Sequence, residues 1–102
     1  SKSDQVIEFY VDKNILENSK YFEKDKKIIL NQSFFHNPEE IILRSIIQVI
    51  KRISWKKNYP RGKKVNSLID SIKFSNKNVK LTLSGCIIEK IQDSVIIYPE
   101  KR

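Results

Sequence analysis

Between Ser54 and Lys64 the chain reads Ser-Trp-Lys-Lys-Asn-Tyr-Pro-Arg-Gly-Lys-Lys, two aromatic rings among five cations. Cations at this density bind phosphate, since each one that neutralises a phosphate releases a condensed counterion. Arg61, Lys63 and Lys64 open a stretch in which Val65, Leu68, Ile69 and Ile72 keep i, i+3, i+4, i+7 spacing, so a helix is expected over 63–74. Positive charge at a helix N-terminus opposes the dipole by about 0.3–1 kcal/mol per cation, so local helix stability does not explain these residues. Free amides at a helix start, the flexible Gly62 and three cations would make a phosphate cradle; the alternative is a solvated basic turn. Trp55 and Tyr59 are read as packing against the helix pair, with stacking on bases as the alternative.

Other reactive residues lead nowhere catalytic. His36 is the single histidine, and no Cys or His cluster has metal-ligand spacing, so a loop or capping role is expected. Cys86 has no histidine arranged to activate it and reads as a half-buried strand thiol. Gly62 and Gly85 are the two glycines, which excludes a Walker-type phosphate loop.

The best-specified element positions the basic stretch. Asn37-Pro38-Glu39-Glu40 followed by residues 41–53 reads as a helix, with Asn37 as N-cap, Pro38 at the first helical position and Glu40 closing a capping box. Ile42, Ile46, Val49, Ile50 and Ile53 form its apolar stripe, widened by Leu43 and Ile47, with Arg44, Ser45, Gln48 and Lys51 on the far side. A short connection should pack this helix antiparallel to the one over 63–74. Upstream, a short helix is expected from Ser3 to Leu16, its Phe9 and Tyr10 in the core rather than forming a base-stacking platform. Tyr21-Phe22 and Ile28-Ile29-Leu30 read as a hairpin turning near Lys24 and Asp25, and 31–37 as a loop whose Phe34 and Phe35 cover the helix entrance.

Downstream, Val79, Leu81 and Leu83 alternate with Lys80 and Thr82, Ser84-Gly85 interrupts the phase as a bulge or bend, and Cys86-Ile87-Ile88 resumes it. The chain reverses within 91–94, and Val95 to Tyr98 return to a stop at Pro99. The expected architecture is α+β, two or three helices on one face of a small antiparallel sheet that includes a C-terminal β-hairpin.

At 102 residues the chain is expected to be one domain, and its net charge of +8 leads us to expect an anionic partner, nucleic acid ahead of a membrane surface. No apolar run approaches the roughly 20 residues of a spanning helix, no signal peptide opens the chain, and a lone cysteine fits a reducing cytoplasm. The absence of methionine is expected of a piece excised from a longer protein, the alternative being removal of an initiator before Ser1.

Tyr59-Pro60-Arg61-Gly62-Lys63-Lys64 followed by a helix, and Leu81-Thr82-Leu83-Ser84-Gly85-Cys86-Ile87-Ile88 with the closing Val95-Ile96-Ile97, resemble the region after the catalytic domain of bacterial tRNA(Ile)-lysidine synthases. The resemblance runs from about Ile41 to Glu100. Ser84 stands at the first glycine of the family's threonine-leucine-glycine-glycine-cysteine pattern. The family uses ATP to adenylate an anticodon cytidine of an isoleucine tRNA and then attaches lysine, so the resemblance implies an ATP-dependent carbon–nitrogen ligase, with ATP and Mg, for the parent chain. Its Ser-Gly-Gly-x-Asp-Ser nucleotide loop does not occur here, and no catalytic, cofactor or metal residue carries over. The expected role is a non-catalytic domain that holds tRNA beside the catalytic domain of the same chain. Arg61, Lys63 and Lys64 are the first candidates for tRNA contact, then Lys56 and Lys57, with Arg44 and Lys51 weaker. The competing expectation is an interdomain or dimerisation module without direct RNA contact.

Overall fold

A computed structural model describes residues 2–56 and 59–101. In chain order its elements are α1 (Lys2–Asn18), β1 (Ser19–Phe22), β2 (Lys27–Leu30), a 3₁₀ helix (Gln32–His36), α2 (Glu39–Ile53), α3 (Gly62–Phe74), β3 (Val79–Leu83), β4 (Cys86–Ile91) and β5 (Ser94–Pro99). The strands form one antiparallel sheet in the order β1-β2-β5-β4-β3. This is the expected α+β architecture.

Register decides which side chains the helices cover. Ile28 lies opposite Ile97, Leu30 opposite Val95, Ile88 opposite Ile97, Leu81 opposite Ile88 and Leu83 opposite Cys86. Because strand side chains alternate, these residues share one face. They join Ile42, Ile46, Val49, Ile50 and Ile53 of α2 and Val65, Leu68, Ile69 and Ile72 of α3 in a single buried cluster. The opposite face carries Ile29, Ile87, Ile96 and Tyr98, all half-buried.

The start of α2 differs from the sequence reading. Proline holds the residue before it in extended backbone, and Asn37 sits at φ −79°, ψ 165°. Pro38 therefore becomes the N-cap, its carbonyl accepting from the amides of Ile41 and Ile42, and no side chain caps the helix. The Asn37 amide instead donates to Asn14 Oδ1 at 2.9 Å, and Glu40 accepts from Arg44 Nε at 2.7 Å rather than closing a capping box.

Ser45 is fully buried, not on a solvated side of α2. α1 covers it: Asn14 Nδ2 donates to Ser45 Oγ at 3.2 Å and to the Phe34 carbonyl at 3.3 Å, while Ser45 Oγ donates to the Ile41 carbonyl. Phe34 and Phe35 are buried as expected, but in a 3₁₀ helix capped by Asn31 rather than a loop. α1 buries only Val11 and Asn14, so Phe9 and Tyr10 lie on its exposed side, outside the core where the sequence reading put them.

Gly85 is neither bulge nor bend. Leu83 pairs with Cys86, making Ser84-Gly85 a two-residue hairpin turn with φ of 49° and 81°. Two left-handed residues match the right-handed twist of the flanking strands, and the C-terminal segment is a three-stranded meander.

Candidate nucleic-acid interface

The basic stretch links α2 to α3, and its course follows from four anchors. Ser54 Oγ donates to the Ser84 carbonyl, which fastens the end of α2 to the β3–β4 turn. Trp55 Nε1 donates to the Glu100 carbonyl at 3.2 Å. Pro60 is buried. Gly62 reaches Leu43, whose Cδ2 lies 4.0 Å from where a glycine Cβ would stand. Farther along α3, Asn66, Asp70 and Lys73 share a groove with Glu39 at the start of α2, so α3 runs back along α2 as an antiparallel neighbour.

Gly62 is the first helical residue of α3, one position earlier than expected, so it is not a flexible loop glycine. The first turn of α3 has no acidic residue, and no side chain caps it. Arg61, Lys63 and Lys64 are exposed around it. Among the described residues none of the three forms an ion pair with an acid. Lys64 borders a groove with Leu68, Leu81 and Leu83, and Lys56 packs its stem over Gly85, so the two lysines flank the β3–β4 hairpin tip.

The other candidates separate. Arg44 is already paired with Glu40 on the surface of α2, and that hydrogen bond raises the guanidinium's pKa further. Lys51 places Nζ 4.2 Å from the centroid of the Tyr59 ring. Lys57 lies outside the described residues. Tyr59 is 62% exposed and Trp55 37%, so the packing against the helix pair expected for both does not hold; the Trp55 indole is fastened instead to the Glu100 carbonyl after β5.

The structure adds a cation–aromatic pair that local sequence does not signal: Arg52 Cζ stands 4.0 Å from the centroid of Tyr21, in β1. With Lys51 over Tyr59 and Lys56 over Trp55, it makes three such pairs at the C-terminal end of α2. Arg52 reads from sequence as a complement to the helix dipole, and nothing in the spacing brings a strand tyrosine to it.

No family model, curated protein or solved structure matches the chain.

The remaining reactive groups lie in the core and in a cleft beside α3. Cys86 is buried against α2, its Sγ donating to the Ile50 carbonyl at 3.8 Å, and burial pushes the thiol up to about 11. His36 is exposed and shares a cleft with Lys73, Lys90 and Asp93. The Lys90 ammonium is already committed there, donating to the carbonyls of Ile72 and Ser75 at 2.7 and 2.8 Å and so closing the C-terminus of α3. No group of His, Cys, Asp and Glu among the described residues could hold a metal. No described helix is long and apolar enough to cross a membrane.

Proposed function

We propose that this chain is a non-catalytic domain that holds tRNA through the basic face between α2 and α3, in a cytoplasmic enzyme of tRNA(Ile)-lysidine synthase type. One observation carries the reading: Arg61, Lys63 and Lys64 stand exposed around a helix start that has no acidic residue. That arrangement opposes the helix dipole and offers its charge to an external anion. Phosphate contacts of this kind supply affinity and register rather than sequence discrimination. A-form RNA presents backbone and 2′-hydroxyls more readily than base edges, which suits a surface that grips tRNA by shape. On this reading ATP, Mg and the ligase chemistry belong to the catalytic domain, and this chain supplies positioning.

The test is ionic strength. If three or four of Arg61, Lys63, Lys64, Lys56 and Lys51 neutralise phosphates, log K for isoleucine tRNA falls against log salt with a slope of roughly −2 to −4. Replacing Arg61, Lys63 and Lys64 together by alanine flattens the slope and weakens binding at low salt. An unchanged slope and affinity would remove this face from the interaction.

A second reading, an interdomain or dimerisation module, is supported by apolar surface away from the cations. Ile29, Ile87, Ile96 and Tyr98 line the uncovered sheet face, and α1 exposes Val6, Phe9 and Leu16. A chain that binds tRNA at moderate salt favours the first reading, whatever its oligomeric state. A self-associating chain that ignores tRNA favours the second.

A further inference from the structure

We infer that Tyr59 is a base-stacking subsite, so that the basic face takes RNA at a place where a nucleotide is unpaired rather than along an uninterrupted duplex. The inference rests on the RNA-binding reading above and deepens it. Tyr59 is 62% exposed although buried Pro60 follows it immediately. The backbone is therefore pinned at the ring's own position while the ring stands out in solvent. An exposed tyrosine in a loop is ordinarily free to turn, but here Lys51 Nζ lies over it at 4.2 Å from the centroid. A cation on one face of a planar ring orients that ring through the quadrupole and leaves the opposite face accessible.

The neighbours fit a nucleotide. Arg61 is two residues away and exposed, a cation open to a phosphate close in the chain to the ring. Stacking of one base on one ring tolerates any base identity, whereas in a continuous A-form helix the bases are stacked on one another and offer no free face. The ring thus adds a preference for unpaired nucleotides in loops or bulges to a surface whose cations alone would accept any phosphate backbone. Trp55 is the less open of the two rings, 37% exposed against 62% for Tyr59.

The experiment compares two labelled RNA probes, a hairpin with an unpaired loop and a blunt duplex built from the same stem, titrated with the 102-residue chain and its Tyr59→Leu and Tyr59→Phe variants. Tyr59→Leu should weaken hairpin binding by about 5- to 150-fold, the range for loss of one base–aromatic stack. It should keep the same salt slope and leave duplex binding unchanged, and Tyr59→Phe should bind like the parent. Equal losses on both probes, or hairpin binding indifferent to Leu at position 59, would overturn the stacking subsite while leaving the basic face intact. Wild-type chain that binds neither probe at low salt would overturn the RNA-binding reading, and the subsite with it.

Discussion

Gly85 shows how a single residue type closes a turn and fixes a neighbour. Its φ of 81° lies where a side chain meets its own backbone, and an added Cβ would stand 2.8 Å from Ser54 Oγ and 3.1 Å from Lys56 Cγ. Gly85→Ala should therefore lower stability by about 1–2 kcal/mol for the left-handed backbone alone, with a further share from the Ser54 contact. Urea unfolding checks this. Measured against Ser54→Ala alone, which already lacks the bond to the Ser84 carbonyl, Gly85→Ala should cost only the backbone share; no loss in the single variant would mean the turn is built differently. Ser84 occupies the other left-handed position at φ 49°, and glycine there would be the easier choice, which is why the Ser-Gly pair reads ambiguously from sequence as bulge or turn. Cys86 offers a pH test. Burial raises its thiol from 9.0 to about 11, so the folded chain keeps a proton that the unfolded chain releases. The contribution to stability is complete below the ordinary thiol value and is lost as pH rises through about 11. Lysines and tyrosines titrate there too, so the measurement is the difference between wild type and Cys86→Ala. The wild type should lose more stability on going from neutral to alkaline pH; parallel curves would show a thiol that ionises freely in the fold.

α2 and α3 were legible because periodic aliphatic residues must face something, and the only large apolar surface the rest of the chain could build was a sheet. α1 was less so, since most of its apolar residues stay outside and a buried asparagine fastens it. Asn14 bonds to Phe34 and Ser45 while accepting from Asn18 and Asn37, a network linking residues up to 31 positions apart. No local pattern announces such a group; helical spacing puts Ser45 on the far side of α2 with Arg44, Gln48 and Lys51, where it reads as a solvated serine. The network predicts how α1 comes loose. Asn14→Ala leaves the Asn37 and Asn18 amides and the Ser45 hydroxyl short of a partner, at a cost of about 1–3 kcal/mol. Hydrogen exchange should show α1 amides losing protection while those of α2 keep theirs, because the aliphatic core beneath α2 is untouched. Equal loss along both helices would mean that α1 is part of the same cooperative unit.

At the scale of the whole molecule, the helix connection and the outer face of the sheet present different surfaces. The α2–α3 connection carries the open cations, and the far face of the sheet carries Ile29, Ile87 and Ile96 with no helix over them. Sequence pattern showed the basic run directly, but only register shows which strand isoleucines are left outside, since residues 86–88 and 95–97 are continuous apolar runs without alternation. A half-exposed isoleucine cluster on a sheet favours association with another apolar surface, so the isolated chain should self-associate at high concentration by sedimentation velocity. Ile96→Lys tests this without breaking the fold. Position 96 lies opposite Glu89 on β4, and a lysine there gains an opposite charge across the strands. The variant should sediment as a monomer while its tRNA salt slope stays that of the wild type, because the substitution is on the side away from α2 and α3. A slope made steeper by Ile96→Lys would place phosphate on the sheet instead, and would move the RNA-facing surface from the helix connection to the strands.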